Sequence, residues 1–179
     1  METKEKKHSN YLKFFAMIAT SMVAMFFLMY ANSYQIIDHF WFSETRLFMS
    51  FIMGGAMIII MLLFMIKMYK NGKANAAIIV VGVLLIVGSI GLVRSQVTVG
   101  DVDYMEGMIP HHSIAILTSE RSAIEDVRVR ELADGIIKAQ RKEIKEMEWL
   151  IHDIRKNRLA KTKEEASTRP VPKFEGTPE

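Results

Sequence analysis

Cysteine is absent from the 179 residues, which excludes disulfide bonds, thiolate metal sites and cysteine nucleophiles. Proline is scarce, with one residue at position 110 and the others beyond position 169. The excess of positive charge is also small, at +3, and the basic residues near the C-terminus are accompanied by acidic ones. We therefore expect no nucleic-acid-binding surface. Charges are few between positions 12 and 93 and frequent afterwards, which indicates a membrane part followed by a polar part.

Three apolar stretches are each long enough to cross a lipid bilayer, which takes about 20 residues. They run over residues 12–31, 47–66 and 76–93. We therefore predict an all-α protein with a membrane domain of three transmembrane helices over residues 1–94. A polar domain over 95–158 follows it. Residues 159–179 are rich in Lys, Glu, Ser and Pro, a composition that predicts a disordered tail.

The lysines predict how the three helices are oriented in the membrane. Four lysines lie within the first 13 residues, and three more lie in the short segment 67–73 between the second and third stretches. The loop between the first and second stretches carries Asp38 and Glu44 against Arg46. The positive-inside rule then places the N-terminus in the cytoplasm and the polar domain outside it.

The outer loop also contains His39 and Trp41. We interpret its aromatic residues as part of a belt at the membrane interface. His39 and Glu44 have side chains that can bind metals, but we interpret both as surface groups.

Methionine is abundant, with 14 residues. Five of them recur every four positions along the second apolar stretch, from Met49 to Met65. A ladder of thioethers that conducts a metal ion is one interpretation. The interpretation we favour for most of the methionines is adaptable packing between membrane helices.

The segment 103–112 concentrates two thioethers and two imidazoles: Met105, Met108, His111 and His112. At about 100° of rotation per helical residue they fall within a sector of roughly 120°. Thioether sulfur and imidazole nitrogen together suit soft or borderline metals, above all Cu(I). The alternative is that the methionines are core residues and the histidines line the surface.

Two helices are predicted in the polar domain. The first covers residues 102–123, and Pro110 either kinks it or begins a new helix. Asp126, after Glu125, is expected to form a turn and cap the second helix, which covers residues 127–158.

The second helix has an apolar face at helical spacing, formed by Val129, Leu132, Ile136, Ala139, Met147, Leu150 and Ile154. Glu143 lies on the same face, with Gln140 beside it. A carboxylate on an apolar face needs a partner. A metal ion or a histidine of the first helix is a natural candidate, and an ion pair with an arginine is the structural alternative.

Two motifs carry a family resemblance. The first is Asp103-Tyr104-Met105-x-x-Met108-Ile-Pro-His111-His112-Ser-x-Ala115-Ile116, and the second is Val129-Arg130-x-Leu132-Ala133-x-x-Ile136-Ile137-x-Ala139-Gln140-x-x-Glu143-Ile144-x-x-Met147. Through them, residues 101–152 resemble the bacterial domain-of-unknown-function 305 (DUF305) family. The membrane part, including residues 41–46, looks like a three-span branch of that family.

The resemblance implies a ferritin-like helical hairpin outside the cytoplasm, attached to a bacterial inner membrane. Some members of the family bind copper and belong to copper resistance. The Met/His ligand pattern of the family carries over to Met105, Met108, His111, His112 and Met147. Soluble members commonly have a further methionine six residues after the second histidine, where this chain has Thr118, so one soft ligand is lost.

The resulting hypothesis is a membrane-anchored protein that binds copper, as Cu(I), for sequestration or for hand-over to a copper-handling partner. Glu143 would orient an imidazole by accepting from its N–H without binding the metal, or would itself ligate a harder metal such as zinc or iron. One alternative is a ferritin-like oxidoreductase, although the hairpin lacks the Glu-x-x-His pairs of di-metal sites. The other is a structural or assembly protein with no metal role.

The size of the hairpin predicts self-association. Two helices of about 50 residues make a marginal core. The first helix is also too short to cover the apolar face of the second. We therefore expect a homodimer, or an oligomer of dimers, whose paired hairpins complete a four-helix bundle. The alternative is a monomer whose hairpin packs on the loop around Trp41.

Overall fold

The computed structural model describes residues 2–31, 33–35 and 37–177, and this part of the chain is all-α with six helices. The chain divides into two compact units. Unit 1 contains residues up to Met29 together with Glu44–Thr98. Unit 2 contains Tyr30–Ser43 and Val99–Glu179. The loop Tyr30–Ser43, which the sequence assigns to the membrane domain, thus belongs to unit 2.

Unit 1 consists of three long helices: α1 (Glu2–Leu28), α2 (Glu44–Phe64) and α3 (Gly72–Ser95). All three are long and apolar enough to cross a membrane, over Tyr11–Leu28 in α1 and over the whole of α2 and α3. The prediction of three apolar helices is confirmed. The ends of these apolar spans differ from the predicted ends by up to four residues. Asn71 begins α3 because its side chain accepts a hydrogen bond from the Ala74 N–H at 3.3 Å.

Small residues allow the helices of unit 1 to approach closely. A side chain at Gly54 would overlap the side chain of Met22, and a Cβ at Gly55 would lie 2.7 Å from the carbonyl oxygen of Gly82. These positions let α2 pack against both α1 and α3. The large side chains on the outside of α3 are apolar and exposed, as for a helix that faces lipid: Val80, Val81, Val83, Leu84, Val87 and Ile90.

A satisfied polar cluster lies at one end of unit 1. The Tyr11 hydroxyl donates to Asn75 Oδ1 at 2.8 Å, and Asn75 Nδ2 donates to the carbonyl of Tyr69 at 2.6 Å. The rings of Tyr11 and Tyr69 are 4.8 Å apart. These bonds join α1 to the start of α3.

Unit 2 is built on the hairpin of α4 (Asp101–Arg121) and α5 (Val127–Asn157). Asp126 caps α5 as expected, because its side chain accepts from the Arg128 N–H at 2.9 Å. Pro110 neither ends α4 nor begins a new helix, since α4 is assigned without a break across it. Pro110 is fully buried, so packing holds the helix across the one lost hydrogen bond.

The core of unit 2 lies between α4 and α5. Its buried members are Met105, Ile109, Ile116, Ile144, Met147 and Ile151. The apolar face predicted for α5 is only half used, because Val129 and Leu132 are 49% and 65% exposed. Leu150 and Ile154, in the other half, pack against the core.

The loop Tyr30–Ser43 is fastened to α4. The Tyr34 N–H donates to Ser113 Oγ at 2.7 Å, and Ser113 Oγ is 2.8 Å from Nδ1 of His39. Ser113 is fully buried and His39 is only 6% exposed, so His39 is not the surface group that the sequence suggested. Tyr34 and Trp41 pack against the core of unit 2.

The tail differs from the disorder predicted for residues 159–179. A short helix, α6 (Lys163–Thr168), is held at its start by Thr162 and Glu165, which cap one another. Arg169 then forms an ion pair with Asp153 of α5. Further along, the carbonyl of Thr177 accepts a hydrogen bond from Lys145 at 3.4 Å.

Candidate metal centre

Four of the six predicted site residues lie where α4 and α5 run antiparallel. Met108 and His112 are one helical turn apart on α4, and Glu143 and Met147 are one turn apart on α5, so each pair shares one side of its helix. Nδ1 of His112 lies 3.1 Å from Oε2 of Glu143, which joins the two pairs at one end. At the other end, Met108 and Met147 pack in the same apolar cluster. The four side chains therefore form a compact constellation across the hairpin.

Glu143, the carboxylate on the apolar face of α5, has His112 as its partner. Of the partners that the sequence offered, the structure places a histidine of the first helix there. The atoms approach closely but without hydrogen-bond geometry. The side chain of His112 is 12% exposed and that of Glu143 is 47% exposed, so the pair lies at the edge of the core.

Burial lowers the pKa of His112 below its usual value. The Glu143 carboxylate acts in the opposite direction, and the neighbouring His111 lowers the pKa further. The net shift is downward, which favours the neutral imidazole near neutral pH. Only the neutral ring can ligate a metal ion, so the environment prepares His112 for that role.

Met105 adds a third thioether to the same core. It is 7% exposed and packs with Met147, which is 8% exposed, in a cluster whose other buried members are isoleucines. Thioethers in such surroundings are shielded from water and from harder donors. His111 is different, because its ring is exposed and its centroid is 6.3 Å from that of His112.

The donors fit a soft ion better than a hard one. No three histidine, aspartate and glutamate side chains group together in the described part of the chain in a way that could hold a metal. A site at the His112–Glu143 contact would thus take its other donors from the methionines. Gln140, one turn before Glu143, has a buried side-chain oxygen with no partner among the described residues. The chemistry of imidazole and thioether together fits Cu(I).

A second polar group joins α4 and α5. Glu106, next to Met105 in the chain, is 7% exposed and forms an ion pair with Arg155 of α5. The guanidinium of Arg155 lies over the Trp41 ring, 5.7 Å from its centroid. A buried carboxylate is stable only with such a partner. This group fixes α4 to α5 and to the loop.

Sequence reasoning missed Ser113 and Glu106, interpreted His39 as a surface group, and named Trp41 only in the alternative in which the hairpin packs on the loop around it. All four act through contacts that are distant in the chain, such as the bond between Tyr34 and Ser113, 79 residues apart. One signal was available. The connection between α1 and α2 spans 29–43, whereas connections between packed helices are commonly two to eight residues long.

Comparison with known proteins extends over this unit. The sequence profile of a family described as "Domain of unknown function (DUF305)" matches residues 94–176. The chain is 32% identical over 108 residues to a protein of Acanthamoeba polyphaga mimivirus named "Uncharacterized protein L153". The aligned region is 59% of this chain and 69% of that protein. No solved structure matches the chain at a significant level.

Proposed function

The chain belongs to the DUF305 family, and we propose that it is a membrane-anchored protein whose unit 2 binds copper, as Cu(I), outside the cytoplasm. Its role would be to sequester the metal or to pass it to a copper-handling partner. The observation that carries the proposal is the contact between His112 and Glu143, flanked on each helix by a methionine one turn away. Such an arrangement joins soft donors with one oriented imidazole.

Each residue has a distinct part in this proposal. Met105, Met108 and Met147 supply thioethers, and His112 supplies an imidazole nitrogen. Glu143, whose Oε2 lies 3.1 Å from Nδ1 of His112, would orient the ring once a metal is bound, as carboxylates commonly do for metal-binding histidines. His111, exposed beside His112, is the donor that an arriving ion meets first. Copper in this site would bind without a thiolate, which suits an oxidising compartment.

The metal preference tests this assignment directly. Zn(II) and iron are the competing metals, because an imidazole and Glu143 could serve either. We expect Met105→Leu combined with Met108→Leu to weaken Cu(I) binding far more than Zn(II) binding while helix content is retained. Competition with a chromophoric chelator measures both affinities in the detergent-solubilised protein. Equal losses for both metals, or no loss, would contradict a thioether site.

The membrane anchor rests on the three apolar helices of unit 1. The lysines at the N-terminus and in the 67–73 segment support a cytoplasmic N-terminus and an extracytoplasmic unit 2 in a bacterial inner membrane. A reporter enzyme that works only outside the cytoplasm should show activity when it is fused to the C-terminus. A reporter active only in the cytoplasm would refute this orientation.

Self-association is the second part of the proposal. Leu132, 65% exposed, and the half-buried Ile136 share one side of α5 with Glu143, and this apolar side continues to the candidate site. A second copy that covers it would complete a four-helix bundle and bring two Met/His clusters together. We expect the parent chain to be a dimer, or an oligomer of dimers, in detergent. Leu132→Lys with Ile136→Lys should reduce its mass to that of a monomer. A monomeric parent would refute the dimer.

A further inference from the structure

The loop Tyr30–Ser43 is bound to the hairpin at three places. At its start, Tyr34 and His39 both bond to the buried hydroxyl of Ser113. At its end, Ser43 lies so close to α4 that a Cβ on Gly107 would come within 3.2 Å of its hydroxyl oxygen. Between them, Trp41 packs on the core. The loop is therefore a third wall of unit 2, beside α4 and α5.

Trp41 covers the cluster that contains the thioethers. Its ring packs against the buried group of Met105, Ile109, Ile116, Ile144, Met147 and Ile151. Its indole N–H is buried and has no hydrogen-bond partner in the part of the chain that the structure describes. Packing and the guanidinium of Arg155 on its face thus hold the ring in place.

We propose that this loop is a working part of the metal centre, with Trp41 as the residue that shields the Met105–Met147 thioethers from water and favours a soft monovalent ion. The inference rests on the proposed function of the site. It goes further, because it assigns a specificity role to a segment outside the matched residues 94–176. Trp41 is a positioning residue in this account and does not ligate the metal.

The physical reason is the charge of the competing ions. An apolar wall lowers the local dielectric constant, and the cost of transferring an ion into such surroundings rises with the square of its charge. For a monovalent ion bound by neutral thioethers, the cost of transfer into these apolar surroundings is small. A divalent ion such as Zn(II) needs further water ligands, beyond His112 and Glu143, that the wall excludes. Opening the wall should therefore weaken soft-ion binding and leave Zn(II) binding unchanged or improved.

The chain contains two tryptophans, which permits a direct optical test on the full-length protein in detergent. Trp149→Phe leaves Trp41 as the sole emitter, and Trp41→Phe leaves Trp149, which is rotated about 200° around α5 from Met147. Ag(I) serves as a redox-stable probe for a soft monovalent ion. We expect Ag(I) to quench Trp41 emission up to a saturating stoichiometry and to change Trp149 emission little.

Affinity measurements supply the second arm. Trp41→Ala should weaken Ag(I) binding by about tenfold, in the range found for residues that support a metal site from outside its ligand shell. Zn(II) affinity should not fall. Trp41→Phe, which keeps an apolar ring, should restore Ag(I) affinity to within about twofold of the parent. Phe42→Ala is the matched control, because Phe42 is the next residue and is 52% exposed.

The outcomes separate the two proposals. If the parent binds Ag(I) through its methionines but Trp41 emission does not respond and Trp41→Ala binds normally, the loop has no role in the site and the inference is overturned. If the parent does not bind Ag(I), the proposed function fails and the inference falls with it. Should Trp41→Ala lose its helix content, the optical arm still decides, because it retains Trp41.

Discussion

The two units have apolar cores that both use methionine, and the neighbours of those methionines differ. In unit 1, Met22, Met57, Met61 and Met65 pack around a core of aromatic and aliphatic residues. The nearby polar groups are the Tyr11 hydroxyl and the Asn75 amide, which bond to one another. In unit 2, Met108 and Met147 lie one turn from a histidine and a glutamate that are in contact.

The difference teaches that the number of methionines is a poor guide to metal chemistry. A regular spacing of four residues, as in α2, places methionines on one side of a helix whether they fill gaps or bind an ion. The informative feature is a methionine one turn from an imidazole whose surroundings keep it neutral. By this criterion the candidate metal site lies in unit 2, and the methionines of unit 1 are packing residues.

Paired methionine substitutions should give the largest contrast between the units. Met108→Leu with Met147→Leu keeps the apolar volume but removes two soft donors, so we expect Cu(I) affinity to fall by more than about 100-fold. Met57→Leu with Met61→Leu is the matched control in unit 1 and should change the Cu(I) affinity little. Chelator competition measures both. A similar loss of Cu(I) affinity in the two variants would contradict a metal site formed by the methionines of unit 2.

A close-packed glycine of unit 1 can be compared with a glycine of unit 2 that has open space around it. Gly55→Val would push a side chain into the backbone of Gly82, and overpacking of this kind costs about 2 kcal/mol. Gly135 of α5 has open space around it, so Gly135→Ala should stabilise unit 2 by about 0.5–1 kcal/mol. Hydrogen exchange followed by mass spectrometry reports on each helix separately. Unchanged exchange in α2 and α3 of Gly55→Val would show that the close approach is unimportant.

Arg155→Ala tests the polar group on the loop side of unit 2. It leaves the buried Glu106 carboxylate without its partner, and we expect a loss of about 1.5 kcal/mol, reduced because Arg155 is half exposed. Arg128→Ala removes an exposed pair with Asp126, which water screens, and should change the unfolding free energy little. Thermal unfolding followed by tryptophan emission measures both. Equal losses would mean that the Glu106 pair contributes no more than a surface contact.

The smallest expected effect is a pH dependence due to His112. Burial holds its pKa below the value of about 6.5 in the unfolded chain, so the unfolded state binds more protons between the two values. Metal-free unit 2 should therefore lose stability as the pH falls below about 6.5 toward the folded pKa. The difference in unfolding free energy between the parent and His112→Asn isolates this residue from the other histidines. A difference that does not vary with pH would contradict the shift.

Much of the helical architecture was predictable because it depends on local sequence. Hydropathy located the three apolar helices to within a few residues, and Asp126 identified the start of α5. The cost of a carboxylate on an apolar face also predicted that Glu143 needs a partner, and a histidine of α4 was one of the alternatives. These inferences need only helical periodicity and the preferences of single residues.

The remaining features depend on contacts between distant segments. Nothing local in residues 30–43 indicates that Ser113 will bond to Tyr34 and His39. The exposure of Val129 and Leu132 could not be predicted from their spacing. Helical spacing shows that apolar residues share one face, but it does not show which segment packs on that face. The tail was expected to be disordered from its composition, whereas the ion pair of Arg169 with Asp153 ties it to α5.

X-ray absorption spectroscopy of the Cu(I)-loaded full-length protein tests the central claim most directly. The method counts sulfur and nitrogen neighbours of the copper without assuming which residues bind. We expect a mixed shell of thioether sulfur and imidazole nitrogen, with the sulfur signal reduced to the share of Met105 in Met108→Leu with Met147→Leu and unchanged in Met57→Leu with Met61→Leu. A shell of nitrogen and oxygen alone, or a sulfur signal lost with the unit 1 methionines, would contradict this claim.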